Sequence, residues 1–426
     1  MSRTAATPRN TQPFWRSWLV WASPMPQRPQ RAGERSPWMI LTESGLFPVA
    51  LALLLFGVVM VTSASMPVAE FKNNDPFYYL YRQGSFAVLA LFLGALVMHI
   101  PIAFWERVGP FLLLAGVILL LLVLIPGIGK VVNGARRWIP LGLFNLQPSE
   151  LVKFATVVYL SSYLVRHREE VQLHFAAFIR PVILLTLVAT LILIEPDFGA
   201  FGVLMVIVLS MMFLARIPML QVGLLVGIVS GLAAIMPFVF PHVRRRIEAF
   251  LADPFLIDPQ GANYQITQAL IAYGRGGFDG VGLGGSVQKM FYLPEAHTDF
   301  LFAVIAEEFG FIGTGLVILA FAYVVWKAFS IGQRALACGQ GYAAHLAHGL
   351  GIWVGVQAFI NIGVNTHLLP NTGMTLPLMS YGGTSLLLSA VVIALLLRIE
   401  HELCPAQRRI VRVSTQGERT RGGESS

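Results

Sequence analysis

Tyr292–Trp326 reads YLPEAHTDFLFAVIAEEFGFIGTGLVILAFAYVVW. A polar strip with Glu295, His297 and Asp299 runs directly into an apolar segment over 300–326. A hydrocarbon core of about 30 Å is crossed by roughly 20 apolar helical residues, and this segment meets that length. Three titratable side chains within five residues, at the mouth of such a helix, are hard to explain by folding alone. An ionised carboxylate costs roughly 2.5–3.5 kcal/mol at mid-helix and less near the interface. A chain that keeps Asp299 there has a use for it.

The same apolar signal recurs outward from this stretch. Runs near 45–65, 84–104, 108–128, 149–165, 179–197, 199–215, 219–241, 346–368 and 378–398 join 300–326. The expectation is an all-α polytopic integral membrane protein with ten transmembrane helices. The fourth run is the least apolar, and a tight Glu195-Pro-Asp197-Phe-Gly turn parts the fifth from the sixth. Composition agrees: 56% of the 426 residues are hydrophobic and 12% are charged, about half the charge of a soluble protein. Mean hydropathy is +0.68.

An even number of spans puts both termini on one side. Arginines crowd the chain before the first run, and Arg166, Arg168, Arg180, Arg216, Lys327, Arg334, Arg398 and Arg408 follow on the same side. By the positive-inside rule that side is cytoplasmic. Residues 1–44 and 401–426 then form basic cytoplasmic tails around a membrane domain at 45–400, with one long periplasmic loop at 244–299 between the seventh and eighth helices. The N-terminal tail lacks the h-region and cleavage site of a signal peptide. Its apolar island Phe14–Ala22 lies either in the membrane interface or ahead of a true start at Met25. Two cysteines, Cys338 and Cys404, fall on the cytoplasmic side, and no disulfide framework is indicated. The net charge of +8 reads as membrane topology, because no basic motif with interleaved aromatics points to nucleic acid.

Outward cations break the pattern: Arg82, Lys130/Arg136/Arg137, and Arg244–Arg246 with Arg275 and Lys289. One such residue can contact lipid headgroups or a partner; three separate clusters favour an anionic ligand on the outer face. In the loop, Asn263, Gln265, Thr267 and Gln268 precede GRGGFDGVGLGG at 274–285. That glycine run lacks the Lys-Ser/Thr ending and preceding strand of a phosphate loop, so it reads as turn punctuation. Glu150 and Lys153 share a helical face, either as a self-neutralising pair or with Lys153 lining a cavity. Glu307 and Glu308, on adjacent helical positions, suit structural or gating roles. His345 and His348 suit an interface. Glu295, His297 and Asp299 can contribute to an oxygen-rich divalent site, though no set has zinc spacing.

NGARRWIPLG (133–142), QPSELVKF (147–154), EPDFG (195–199), GLGGSVQKMFYLPEAHTDFLFAVIAEEFG (282–310) and LPLMSYGGTSLL (376–387) together resemble the SEDS family of shape, elongation, division and sporulation proteins. They cover most of the chain in order, and the PEAHTDF form is similar to the division branch rather than the elongation branch. The resemblance implies the ten-helix SEDS fold and a peptidoglycan glycosyltransferase in the bacterial cytoplasmic membrane at the division septum. It implies lipid II as substrate and a class B penicillin-binding protein of the FtsI type, with other division proteins, as partners.

By motif match Asp299 corresponds to the family's essential acid and is expected to be the base on the acceptor hydroxyl. Arg137, Lys153 and Arg82 are the candidates for the diphosphate, with Glu150 holding Lys153. Gln265 and His297 are further candidate substrate residues, His297 and Glu295 forming the shell of the base. Mg²⁺ or Mn²⁺ can share the charge on the leaving group, and sequence does not decide this. Two rivals remain, a flippase for the lipid-linked precursor and a non-enzymatic scaffold for division proteins. A flippase calls for polar groups strung through the membrane depth, and the deep ones (Glu307, Glu308, Asn361, Asn365) are few.

Overall fold

The computed structural model describes residue 41 and residues 44–132, 135–142, 145–255 and 263–403. The tails, with the Phe14–Ala22 island and the suggested start at Met25, lie outside the described residues. From the N-terminal side the chain forms α1 (Leu46–Asn73), α2 (Tyr78–His99) and α3 (Ile102–Leu124). Three short strands follow, β1 (Lys130–Val132), β2 (Ala135–Pro140) and β3 (Asn145–Leu146). They form an antiparallel sheet in the order β1-β2-β3, with Lys130 opposite Trp138 and Ile139 opposite Leu146. Then come α4 (Pro148–Arg166), α5 (Arg168–Leu173), α6 (Phe175–Ile194), α7 (Phe198–Leu214) and α8 (Met219–Val239). The segment expected as the outer loop contains α9 (Pro241–Leu251) and α10 (Tyr264–Gly276). Last are α11 (Leu301–Ala337), α12 (Gly341–Asn365) and α13 (Gly383–Glu402).

Eight helices among the described residues, α1, α2, α3, α6, α8, α11, α12 and α13, are long and apolar enough to cross a membrane. The protein is an all-α polytopic membrane protein. α7 falls short at 17 residues, and α4 lacks the apolar composition. Packing explains α4. Every residue from Val152 to Leu164 is buried, and α4 lies against α3, α7 and α12. A helix surrounded by protein can carry Lys153, Ser161 and Ser162 without presenting them to lipid.

The second and third helices begin about six residues earlier than their apolar runs suggested. Pro101 caps the start of α3, with Ile100 extended before it (φ −80°, ψ 122°), as the residue preceding a proline prefers. Hydropathy cannot see such a boundary, because both flanks are apolar.

α11 is broken at Gly310 (φ 60°, ψ −156°). A Cβ there would lie 2.5 Å from the backbone nitrogen of Gly280, so a side chain is excluded twice over, by space and by backbone conformation. The break frees backbone groups that must be satisfied at this depth. The glycine run supplies the partners. Val281 and Gly282 donate to the carbonyls of Glu307 and Glu308 at 3.0 and 3.0 Å, and Phe311 donates to Gly277 at 3.0 Å. The run read as turn punctuation is therefore the strap that heals a broken helix. Cys338, past the end of α11, is disulfide-bonded, a correction to the absence of disulfides expected from its cytoplasmic position.

Candidate functional site at the strip around Asp299

The side chains of Glu307 and Glu308 tie the strip to α11. Glu307 accepts from Ser286 Oγ and, at 2.9 and 3.2 Å, from the backbone nitrogens of Val287 and Gln288. Arg275 Nε lies 3.6 Å from the same carboxylate. Glu308 accepts from Lys289 Nζ at 2.7 Å and from Ser63 Oγ at 2.8 Å. Lys289 is buried, so this outward cation is spent inside the protein. Arg244 pairs with Glu248 at 2.7 Å. The cations that face open space are therefore fewer than the charge pattern suggested.

Arg82, Arg137 and Arg246 line a cavity of about 560 Å³ together with Glu150, Asp197, Gln265, Glu295 and Asp299. The wall is completed by β2, by the 371–375 segment after α12 and by Tyr381–Ser385 at the start of α13. Asp299 is anchored through its backbone. Asn361 Nδ2 and Asn365 Nδ2 both donate to its main-chain oxygen, at 2.9 and 2.9 Å. Asn365 Oδ1 accepts from Ala303 N at 3.1 Å. These two buried asparagines account for the deep polar groups of α12. The Asp299 carboxylate lines the cavity and lies beside Gly373, where a Cβ would be 3.4 Å from Oδ2.

Burial pushes the Asp299 carboxyl up to about 7; the Glu295 carboxylate adds to the rise, and Arg246 and Arg137 oppose it. The carboxyl opens onto the cavity yet lies deep in the protein mass. Arg246 is lowered by burial and by Arg137, against the pull of Asp299 and Asp197. It also donates through Nη1 to the Asn371 carbonyl at 3.2 Å.

Arg137 is aimed by the turn between α6 and α7. Its Nε donates to the Glu195 carbonyl at 3.1 Å and its Nη2 to the Pro196 carbonyl. The Glu195 side chain is fully buried with no hydrogen-bond partner among the described residues. Burial, then the Asp197 carboxylate, push it up to about 9, so it is neutral at pH 7. Asp197 caps α7 by accepting from Ala200 N at 3.2 Å, and accepts from Ser149 Oγ and Gln147 Nε2 at 2.9 and 3.0 Å. That N-cap joins the EPDFG and QPSELVKF motifs.

Two other sequence candidates, Lys153 and His297, lie elsewhere than expected. Lys153 is fully buried and does not reach the cavity wall. Its Nζ donates to Glu150 Oε1 at 2.8 Å and to Gln357 Oε1 at 2.9 Å, and sits 5.5 Å from the Trp353 ring. The expected order is inverted: Glu150 faces the cavity and Lys153 supports it from behind. His297 is also off the wall, its ring 4.6 Å from Tyr79 and 5.6 Å from Tyr381. Burial lowers its proton affinity, against the pull of the Glu295 carboxylate. Gln265 is on the wall and accepts from Asn371 Nδ2 at 2.8 Å. Arg82 is on the wall, with its guanidinium 5.3 Å from the Tyr78 ring.

Sequence reasoning missed Asp197 and the 371–375 segment, and singled out Arg246 only as one of a cluster. The acid at the cap position of EPDFG was the available signal for Asp197. Nothing in 371–375 announces a wall. Among the described residues no group of three or more His, Cys, Asp or Glu comes together to hold a metal ion.

Comparison with known proteins sets this geometry in context. Residues 44–404 match the family described as FTSW_RODA_SPOVE, cell cycle protein. A probable peptidoglycan glycosyltransferase FtsW of Thioalkalivibrio sulfidiphilus is 50% identical over 358 residues, covering 84% of this chain and 89% of that one. The Halorhodospira halophila protein of the same description is 47% identical, covering 89% and 95%. Among solved structures, a chain of a peptidoglycan synthase complex that coordinates polymerization and crosslinking is similar at TM-score 0.69 and 28% identity, covering 85% of this chain and 98% of that one. The rod shape determining protein RodA of Thermus thermophilus is similar at TM-score 0.61 and 28% identity, covering 84% and 96%. Matched to the family model over residues 44–404 and about half identical to curated members across most of its length, this chain belongs to the FtsW/RodA/SpoVE family of cell cycle proteins.

Proposed function

We propose that the cavity polymerises lipid II into glycan strands on the outer face of the bacterial cytoplasmic membrane, at the division septum. The observation that carries this reading is a carboxyl with a pKa of about 7, Asp299, sharing one cavity with Arg137 and Arg246. Sugar transfer with inversion needs a base for the acceptor hydroxyl and positive charge for the departing diphosphate. The acceptor oxygen bonds to the anomeric carbon of the donor as the bond from that carbon to the diphosphate oxygen breaks. The bonding pair leaves with the diphosphate, and the hydroxyl proton passes to Asp299 and then to water. Arg137 and Arg246, with Arg82 at the rim, receive the diphosphate charge. A diphosphate leaves without protonation when cations are at hand, so a second catalytic acid is not required. A divalent ion such as Mg²⁺, held by cavity carboxylates and the diphosphate itself, would add to that charge; every step here runs through guanidinium groups.

The topology that serves this chemistry has ten spans, counting α4 and α7 with the eight longer apolar helices, and both termini in the cytoplasm. The loop carrying α9, α10 and the 287–299 strip is then outside, between the seventh and eighth spans. A class B penicillin-binding protein of the FtsI type is the partner that cross-links the product. Basic residues at the other ends of the helices support this orientation.

The test is polymer formation from lipid II by the chain purified with its transpeptidase partner, wild type against Asp299→Asn. The expected loss is at least about 100-fold, the lower end for a general base. Equal polymer from the variant removes the base assignment. No polymer from either chain, with lipid movement in proteoliposomes, would support the flippase instead.

A further inference from the structure

A second pocket of about 260 Å³ adjoins the main cavity and shares Arg246, Gln265 and Asn371 with it. These three form a hydrogen-bonded partition: Arg246 donates to the Asn371 carbonyl at 3.2 Å, and Asn371 Nδ2 donates to Gln265 at 2.8 Å. On the far side lie Arg245 and His367. The His367 ring meets Phe250 at 5.2 Å, and its Nε2 is buried without a hydrogen-bond partner among the described residues.

The two spaces differ in charge. The main cavity sets four carboxyl groups (Glu150, Asp197, Glu295, Asp299) against three guanidiniums. The side pocket has the Arg245 guanidinium, the shared Arg246, the His367 ring and no carboxylate among its described lining residues. No salt bridge joins Arg245 to an acid among the described residues. A multivalent anion is the ligand that such a pocket recognises.

The polymerase reading, on which this inference rests, demands two anion seats. The donor's diphosphate is bonded to the reacting carbon and must lie beside Asp299. The acceptor reacts through a hydroxyl at one end of its disaccharide and carries its diphosphate at the other. That second diphosphate must be held a disaccharide's length from the base, with the carrier lipid still in the membrane. We propose that the Arg245/His367 pocket seats the diphosphate of the acceptor, while Arg137 and Arg246 in the main cavity take that of the donor.

The experiment counts diphosphate sites. The full chain with its transpeptidase partner, carrying Asp299→Asn to stop turnover, is placed in phosphatidylcholine nanodiscs and titrated with geranylgeranyl diphosphate by calorimetry. Two sites per chain are expected. Arg245→Ala with His367→Ala should leave one, and Arg137→Ala should remove the other. One site in the parent, or two in the double variant, overturns the proposal. Repeating the titration in phosphatidylglycerol nanodiscs separates the phosphate sources: two sites should persist, and loss of the Arg245-dependent site would make it a headgroup site and overturn the assignment.

Turnover supplies an independent readout. In the active chain, Arg245→Ala should raise KM for lipid II about tenfold with kcat within about twofold, the signature of lost ground-state binding. Arg245→Lys should stay within about threefold of wild-type KM. A fall in kcat alone overturns the seat. Two bound diphosphates with no polymer from wild type would sink the polymerase reading while leaving the second anion site in place. Normal polymer with unchanged KM from the double variant would do the reverse.

Discussion

Asn365 Nδ2 donates to the main-chain oxygen of Asp299 at 2.9 Å, so the base is positioned through its backbone and its carboxyl is left to the substrate. Asn365 is fully buried and lies on α12, far along the chain. Asn365→Ala leaves that carbonyl with Asn361 alone and leaves Ala303 N with only the Phe300 carbonyl, at 3.1 Å. Lost buried partners of this kind cost about 1–3 kcal/mol. The expected outcome is a kcat reduced about tenfold or more, since small misplacements of a catalytic group are costly. The pH at half-maximal rate should stay near that of wild type. A shift in that midpoint would show that Asn365 acts on the carboxyl.

The Asp299 carboxyl, at about 7, makes activity rise with pH through neutrality, because only the ionised form accepts a proton. Arg246 lowers this pKa. Arg246→Gln should therefore move the rising limb of kcat/KM to higher pH, measured with lipid II between pH 5.5 and 9. A limb that stays in place, or moves down, contradicts the electrostatic assignment.

Stability has the opposite sense. A carboxyl whose folded pKa exceeds its ordinary value of 3.8 binds its proton more tightly when folded. Its contribution to stability is then lost as pH rises from about 4 through about 7. Asp299→Asn removes the penalty of ionisation. The variant should melt higher than wild type at pH 8 and close to it at pH 4, read by thermal unfolding in detergent.

Lys153 and Glu150 form a buried pair at 2.8 Å. Removing one partner of such a pair typically costs about 3–5 kcal/mol, whereas replacing both can be nearly neutral. Lys153→Met should lower the yield of folded protein sharply, and Lys153→Met with Glu150→Gln should restore much of it. A Lys153 single variant that folds normally and loses only turnover would place the amine at the substrate after all.

Gly310 tolerates no side chain, with φ at 60° and the Gly280 backbone 2.5 Å from a would-be Cβ. Gly310→Ala should cost more than about 1 kcal/mol and expose the 277–300 segment to protease. Unchanged proteolysis and melting would show that the break tolerates a side chain.

Much of this was legible because apolar length is a strong local signal. The starts of eight of the ten apolar runs, to within about six residues, the strip and Asp299 on a cavity all follow from runs and motifs. The errors have a common origin in packing. Lys153 reads as a cavity cation, because sequence shows a charge on a helix but not that Val152 to Leu164 are enclosed by other helices. Lys289 reads as a free outward cation, because its partners Ser63 and Glu308 lie in different parts of the chain. The β1-β2-β3 sheet is too short for alternation to register. The 371–375 wall has no distinctive composition and acquires its role only by returning beside Asp299.

The strap across the Gly310 break has a mechanical consequence. Val281 and Gly282 replace the bonds that α11 lacks, and the Lys289–Glu308–Ser63 junction clamps the same place to α1. The start of α11, the strip and the Ser63 turn of α1 are thereby joined at one place. The stretch between the strap and Asp299 is thus held at both faces of the break by bonds from distant parts of the chain.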